Sequence, residues 1–479
     1  MFLLLNLLRE RKIDTMRKGL KKNFQAGEWH LSMTTQLDSD DMKGLVLGLA
    51  LPSMVAQFVS VLYSIVDRMY IGNIAGIGET ALAGVGVCGP ILTMISAFAS
   101  LIGIGGGPLV SIRLGQHREK DAEKVLSDCF MVLSAISVLV MAVSFLLKDR
   151  LLWWFGASEA VFPYADEYMS WYLSGTVFAL LSTGMNQFII CQGYSKTAMR
   201  SVLLGAALNI ILDPVFIFVL GMNVKGAALA TVISQLASCI YVLRFLFSSQ
   251  SALRIHIRKP EMKNILGVCK LGLTPFLIIA FDNVMLISLN AMITKYGGGQ
   301  EGDLLLSCNT ILQSFMLMIT MPLGGITGGT QTILGYNYGA RRPDKIRQAQ
   351  KYIMILGFVF CAVMFAAAQL VPEIFIRIFT RDPAYVDQTA RIIRIYTLGV
   401  LLLPFQYAIT DGFTGMGVFK YAFALSAWRK VIYFACVFLI PPAFGVANIF
   451  YCEPLSDTIG PIVSIIVYLT LGRKLLKKL

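Results

Sequence analysis

Charged residues are scarce in this sequence. Asp, Glu, Lys and Arg together make up 14% of its 479 residues, whereas a soluble protein carries roughly 25%. Hydrophobic residues make up 56%. The missing charge argues against a water-exposed globular fold and indicates that most of the molecular surface faces an apolar environment.

Histidine and paired cysteine are also lacking. The three histidines, His30, His117 and His256, are far apart, and none of the nine cysteines forms a Cys-x-x-Cys pair. Nearly all the cysteines lie in apolar segments, where they act as small buried side chains. We therefore expect no metal centre and no cofactor. A membrane-embedded enzyme would need a nucleophile–base set or metal ligands at membrane depth, and the sequence offers neither.

The sequence contains no nucleotide-binding motif. Its glycine-rich stretches at 103–108 and 324–329 look superficially like phosphate loops, but neither is followed by Lys-Ser or Lys-Thr. We interpret both as segments of close helix packing or bending, which excludes ATP as an energy source. The net charge of +13 does not indicate nucleic-acid binding, because Lys and Arg lie between apolar segments and form no basic domain.

Twelve apolar segments are long enough to cross the roughly 30 Å hydrocarbon layer, which needs about 20 helical residues. They lie at 43–71, 80–112, 122–147, 161–191, 198–220, 225–247, 265–294, 303–337, 346–371, 386–413, 420–443 and 449–471. The sequence thus predicts an all-α membrane protein. We expect the protein to be embedded in a lipid bilayer, with a monomer sufficient as the functional unit.

The distribution of Lys and Arg predicts the orientation of these spans. Most of the 41 basic residues fall on one side when the N-terminus is placed in the cytoplasm, as the positive-inside rule requires. We expect a multi-pass protein of the bacterial cytoplasmic membrane with both termini inside. Residues 1–42 read as a cytoplasmic tail, or as the product of a start codon assigned upstream of Met16, Met33 or Met42.

The two halves of the chain resemble one another when shifted by about 224 positions. Leu-Gly-Gln-His-Arg at 114–118 then meets Tyr-Gly-Ala-Arg-Arg at 338–342, and Tyr172 and Gly175 meet Tyr396 and Gly399. An even number of spans in each half makes this a parallel repeat. We expect an N-lobe at 43–247, a linker at 248–264 and a C-lobe at 265–479, the last with a short basic tail. A duplicated scaffold without transport is the simpler alternative.

Acidic residues at membrane depth are costly and therefore indicate function. Asp67 lies near the end of the first span, and Asn209 and Asp213 share one face of the fifth. Pro214 leaves a backbone carbonyl without its helical donor. These oxygens suit Na⁺, whereas a crowded carboxylate can instead take up a proton. Asp67 could alternatively be an interfacial acid paired with Arg68, and Asn209 and Asp213 a structural contact.

The second half lacks this set of oxygens. The corresponding positions hold Asn290 for Asp67, Tyr433 for Asn209 and Val437 for Asp213. It has acids of its own, Asp282 in the seventh span and Asp457 in the twelfth. We therefore expect one lobe to bind a coupling cation and the other to help hold a substrate.

Several motifs together resemble the multidrug and toxic compound extrusion (MATE) transporters, in particular the bacterial DinF-like branch with its pumps of the MepA type. They are the first-span Pro52 with Asp67 fifteen positions later, Leu-Asn-x-x-Leu-Asp-Pro at 208–214, Val-Lys-Gly-Ala-Ala-Leu-Ala-Thr at 224–231, Gly-Tyr-Asn-Tyr-Gly-Ala at 335–340 and Glu-Pro-Leu-Ser-Asp at 453–457. The resemblance extends from about residue 40 to the C-terminus.

The resemblance implies two pseudo-symmetric six-helix lobes around a V-shaped central cavity. It implies an antiporter that expels cationic amphipathic drugs in exchange for Na⁺ or H⁺, and hence xenobiotic efflux and antibiotic resistance. The implied cation site maps onto Asp67, Asn209, Asp213 and Thr231, with a helix bend at Pro52. The glutamate that another branch uses in the seventh span is not evident, and Asp282 is only its approximate neighbour.

Methionine and aromatic side chains are candidates for an adaptable drug cavity, although packing or lipid contact is the alternative for each. The residues predicted to line it are Met54, Phe58, Asp282, Met285, Asn290, Phe315, Met318 and Asp457. A lipid-linked oligosaccharide flippase of related fold is the rival function. It predicts a strongly cationic cavity, whereas most basic residues are expected outside the spans.

Overall fold

The computed structural model describes residues 37–477 and residue 479. Its helices are α1 (Met42–Gly72), α2 (Gly78–Gly115), α3 (Glu119–Trp154), α4 (Phe162–Ser174), α5 (Thr176–Ile190), α6 (Ser195–Pro214), α7 (Asn223–Phe247), α8 (Met262–Gly297), α9 (Gln300–Gly339), α10 (Pro343–Leu370), α11 (Pro372–Ile376), α12 (Pro383–Tyr396), α13 (Leu403–Gly415), α14 (Phe419–Phe444), α15 (Cys452–Val467) and α16 (Arg473–Lys477). Most of the predicted N-terminal tail, residues 1–36, lies outside the described residues.

Twelve membrane spans are present in the described part of the chain. Ten are helical segments long and apolar enough to cross a membrane by themselves. The other two are bent pairs, α4 with α5 and α12 with α13, whose axes change direction by 58° and 50°. Large apolar side chains such as Leu146 (84% exposed) and Val219 (77% exposed) point outward, as expected for a surface that faces lipid. The predicted all-α membrane fold is confirmed.

Local sequence explains where the helices begin and where the bent pairs break. The Asp41 carboxylate accepts a hydrogen bond from the Gly44 amide at 3.0 Å and caps α1. Proline occupies the first turn of α10, α12 and α13, where its missing N–H costs nothing. Gly175 and Gly399 lie at the two breaks. Each break therefore falls at the same position of the repeat.

Backbone conformation shows the repeat independently of side-chain identity. A left-handed conformation is rare outside glycine, yet His117 and Arg341 adopt φ values of 57° and 56°. These residues are 224 positions apart. Two glycine pairs with the same spacing also have positive φ, Gly193 with Gly417 and Gly221 with Gly445. The two six-helix lobes, α1–α7 and α8–α16, therefore share their turns as well as their helices.

The lobes pack against each other at one end of the bundle, here called the closed end. Helix α1 contacts α9, and α2 contacts α8 and α9. A Cβ on Gly272 would overlap the Leu101 carbonyl, and a Cβ on Gly339 would overlap the Ile112 carbonyl. Only glycine permits such close approach of two backbones. These positions lie near the ends of α2 and α9 and the start of α8.

The segment between the lobes is bound to the N-lobe at the closed end. Arg258 donates to both carboxylate oxygens of Asp128, at 2.9 and 3.1 Å. Asn264 donates to Asp128 at 2.7 Å and accepts from Arg113 at 2.9 Å. Asp128 is only 1% exposed. This network links α2, α3, the connecting segment and α8.

Candidate functional site

A central cavity of about 1670 Å³ lies between the two lobes. It is larger than a typical drug-sized pocket of roughly 300–1,000 Å³. Both lobes contribute to its wall, with Asn209 and Thr231 on the N-lobe side and Asp282 on the C-lobe side. The arrangement of two pseudo-symmetric lobes around a V-shaped cavity is confirmed.

Four predicted N-lobe residues lie together where α1, α6 and α7 meet. The Asn209 amide donates to Asp213 Oδ1 at 3.1 Å and to Thr231 Oγ1 at 3.3 Å. The carboxyl groups of Asp67 and Asp213 face each other closely enough to interact. Asn209 and Asp213 are almost completely buried, at 2% and 0% exposure. Asp67 and Arg68 form no ion pair within 4 Å in the described part of the chain, although the charge of Arg68 still acts on the Asp67 carboxyl group.

Three oxygen atoms of this cluster have no hydrogen-bond donor. They are Asp67 Oδ1, Asn209 Oδ1 and Asp213 Oδ2, all buried. Buried polar atoms without partners are rare because each costs free energy. Two carboxylates, an amide oxygen and a hydroxyl form a hard-oxygen donor set. Such a set fits a small cation, and a shared proton would also relieve the repulsion between the two acids.

Prolines alter the backbone next to this cluster. After Pro214, α6 continues as one π-helical turn at Val215–Val219, a widened geometry that often marks functional sites. Pro52 is buried within α1, which runs without a break from residue 42 to 72. A Cβ on Gly325 of α9 would lie 2.7 Å from the Ser53 carbonyl oxygen and 2.9 Å from Met54 Cα. The predicted bend residue therefore lies where α1 contacts the opposite lobe.

The group formed by Asp67, Asn209, Asp213 and Thr231 is called the cation cluster below. The sequence analysis missed the aromatic side chains around it. Tyr63, Tyr168 and Tyr172 surround Asp67. The Gln235 amide donates to the Tyr172 hydroxyl at 3.0 Å. The break at Gly175 allows α7 to approach, since a Cβ there would lie 2.6 Å from Val232. The one hint in the sequence was that Tyr172 is a repeated position, three residues before this break.

The C-lobe wall carries two basic residues that the sequence reasoning counted among the cytoplasmic ones. Arg429 and Lys430 lie inside α14 and line the cavity. That placement corrects the expectation that basic residues lie outside the spans. Each is paired, because Lys430 contacts Asp282, and Arg429 contacts Asp457 and, at 3.4 Å, Glu453. The C-lobe wall of the cavity is therefore not strongly cationic. A flippase for a lipid pyrophosphate would require a strongly cationic cavity.

The structure brings only part of the predicted drug cavity together. Asp282, Met285 and Asn290 line it, and the Asn309 amide donates to Asn290 Oδ1 at 2.9 Å. The other predicted residues do not line it, namely Met54, Phe58, Phe315, Met318 and Asp457. Phe315 instead packs in the C-lobe core against Phe375, and Asp457 is fully buried beside Arg429.

Comparison with known proteins gives consistent matches over most of the chain. A family model described as MatE matches residues 52–215 and 279–439. Multidrug export protein MepA of Staphylococcus aureus is 23% identical over 427 residues, which are 88% of this chain and 93% of that protein. Its counterpart in Staphylococcus haemolyticus is 22% identical over 428 residues, 89% of this chain and 93% of that protein. A solved structure described as the outward-facing conformation of a multidrug resistance MATE family transporter has a TM-score of 0.86 at 22% identity, covering 93% of this chain and 99% of that one.

Proposed function

Since the chain belongs to the MatE family, we propose that it is an antiporter that exports cationic amphipathic compounds in exchange for Na⁺ or H⁺. The lobes would alternate between states open on opposite sides of the membrane. The relatives named multidrug export protein support export of drugs. No metal or organic cofactor is needed, because the coupling cation is itself transported.

The observation that carries this proposal is the set of three buried oxygens without donors. In a resting protein, Asp67 Oδ1, Asn209 Oδ1 and Asp213 Oδ2 form an unsatisfied cluster, which is stabilised when a Na⁺ or a proton binds. Asn209 and Thr231 also line the central cavity. A bound cation therefore changes the wall that a substrate contacts, and this supports coupling between the two.

Exchange requires that the cation and the substrate differ in their affinity for the two states. In this structure the lobes are joined at the closed end through glycine contacts between α1, α2, α8 and α9. Pro52 of α1 lies at that contact, while Asp67 of the same helix lies at the cation cluster. Helix α1 thus connects the ion site to the surface along which the lobes must separate.

We place the closed end at the cytoplasmic side, because the basic connections predicted to be inside lie there. Arg113 and Arg258 belong to the network at this end. The protein would then be a multi-pass protein of the bacterial cytoplasmic membrane, with both termini inside. The described fold requires no second copy of the chain, and a monomer suffices for this mechanism.

The test is ethidium efflux measured in everted membrane vesicles, with a Na⁺ gradient and a proton gradient imposed separately. We expect one gradient to drive transport by the wild-type protein. Asp213→Asn removes the charge but keeps an oxygen that can accept from Asn209, so the fold should persist. Gradient-driven transport by this variant should fall at least tenfold. Asp344→Asn, at a carboxylate 92% exposed, is the matched control.

Two results would contradict the proposal. The first is that wild-type vesicles accumulate no ethidium with either gradient, although the protein is present in the membrane. The second is that Asp213→Asn transports at the wild-type rate. The first result removes the antiport function, and the second removes the ion site while leaving transport in place.

A further inference from the structure

We propose that Asp411, together with Thr327 and Gln331, forms a second cation-recognition site in the cavity, which binds the charged centre of an organic ammonium or phosphonium compound. This inference rests on the proposed function and assigns part of its substrate site. Asp411 and Gln331 line the central cavity, and Thr327 is buried behind the Asp411 carboxylate. The Thr327 hydroxyl donates to Asp411 Oδ2 at 2.5 Å, and the Gln331 side chain also interacts with the carboxylate.

Asp411 is the C-lobe acid of the cavity that keeps its charge free for a ligand. Asp282 is paired with Lys430, and Glu453 is paired with Arg429. Asp411 forms no ion pair with a basic side chain among residues 37–477. A cation that used one of the paired acids would have to displace a basic group, and an uncompensated buried charge is unfavourable. Asp411 requires no such displacement.

The surroundings of Asp411 fit an organic cation better than a bare metal ion. Its donor set contains one carboxylate, one hydroxyl and one amide, too few oxygens for Na⁺ by itself. Tyr407 lies four residues earlier on the same face of α13 and also lines the cavity. A carboxylate near an aromatic ring is a combination that can recognise organic ammonium groups. Gly328 leaves room opposite, because a Cβ there would meet no atom within 4 Å.

The site lies next to the closed end of the cavity. One turn beyond Asp411, a Cβ on Gly415 would lie 2.9 Å from the Gln331 carbonyl oxygen, where α13 packs tightly against α9. The corresponding N-lobe position, 224 residues earlier, is Gln187, which lines the cavity without a charge. The C-lobe wall therefore carries an acidic side chain at this position of the repeat, whereas the N-lobe wall carries a neutral one. A compound that enters when the closed end opens would meet this acid before it reaches the Arg429 and Lys430 region.

The experiment compares binding of a permanent cation and a neutral compound to the purified full-length protein. Tetraphenylphosphonium is the cation, and triphenylphosphine oxide is an uncharged relative of similar shape. We expect Asp411→Asn to raise the Kd for tetraphenylphosphonium at least tenfold and to leave that for the oxide within twofold. Asp411→Glu, which keeps the charge, should retain most of the binding. Asp387→Asn, an exposed carboxylate outside the cavity lining, is the matched control.

A change of less than twofold in the Kd of Asp411→Asn for tetraphenylphosphonium would overturn the inference. If the wild-type protein transports ethidium at the same time, the proposed function still stands, so the two failures are distinguishable. If Asp411→Asn does not fold, carbodiimide labelling of the wild-type protein decides the matter. Tetraphenylphosphonium should protect Asp411 from labelling in the mass spectrum, and unchanged labelling at saturation would refute the site.

Discussion

Replacing Arg429 by alanine should destabilise the protein far more than replacing Arg394, although both arginines form ion pairs. The Arg394–Glu373 pair is short, at 2.7 Å, but its side chains are 43% and 36% exposed. Arg429 is 12% exposed and contacts Glu453, also 12% exposed, and Asp457, which is completely buried. Burial, and not distance, therefore separates the two cases.

The magnitude follows from what each substitution leaves behind. Without Arg429, the buried carboxylates of Glu453 and Asp457 lose their direct ion-pair partner, and a broken buried pair costs about 3–5 kcal/mol. Removing Arg394 costs about 0–1 kcal/mol, the usual value of an exposed pair. An unfolding entropy of about 2.1 cal/mol/K per residue over the whole chain converts the first cost to a fall in Tm of roughly 3–5 °C. The cost of removing Arg394 corresponds to a fall in Tm of less than about 1 °C.

The assay is thermal unfolding of the purified proteins in detergent, monitored by intrinsic fluorescence or by loss of the monodisperse chromatographic peak. A third protein isolates the electrostatic contribution, because Arg429→Gln, Glu453→Gln and Asp457→Asn together remove all three charges and keep hydrogen-bonding groups of similar size. We expect this triple variant to recover at least half of the lost Tm. A Tm for Arg429→Ala within 1 °C of the wild type would refute the reasoning, as would a triple variant less stable than the single one.

Two further predictions concern the closed end. Arg258→Ala deprives Asp128 of a bidentate partner and should release the connecting segment, so that trypsin cleaves it several times faster. Lys263→Ala removes the same charge at an exposed position and should leave the rate of cleavage unchanged. Gly272→Ala places a methyl group against the Leu101 backbone and should reduce ethidium transport at least fivefold, with the protein still inserted in the membrane. Gly267→Ala is the control and should transport normally, because its Cβ would meet only a side chain at 3.4 Å. Equal cleavage of both arginine and lysine variants, or equal transport by both glycine variants, would contradict these expectations.

The spans could be predicted from the sequence because each is a long apolar run, a signal that tertiary packing does not alter. Predicted ends agree with the observed ones to within a few residues, except where a helix continues past its apolar segment, as α3 does to Trp154. The breaks at Gly175 and Gly399 were not predicted. A glycine inside an apolar run is equally compatible with a straight helix, and only the approach of Val232 and Asp457 to these glycines explains the bends.

The N-lobe cluster was accessible to sequence reasoning because Asn209 and Asp213 are four residues apart, so a helix alone brings them together. The tyrosines around it come from other helices and become neighbours only through packing. Asp411 escaped notice for a related reason. Its partner Thr327 lies 84 positions away, and nothing in the local sequence distinguishes a cavity-facing acid from one near a helix end.

The two lobes share a backbone fold but differ in their electrostatic arrangements, and this difference bears on how the proposed exchange would work. In the N-lobe, Asp67 and Asp213 lie together and neither forms an ion pair with a basic side chain among the described residues, so a small mobile cation is the natural source of compensating charge. In the C-lobe, Arg429 and Lys430 supply that compensation permanently, and only Asp411 of its cavity acids lacks a paired base within residues 37–477. A mobile ion binding at Asp282, Glu453 or Asp457 would have to compete with these fixed bases, and Asp411 by itself offers too few oxygens for Na⁺. Coupling should therefore reside in the N-lobe, and the C-lobe wall is left to discriminate among substrates by charge.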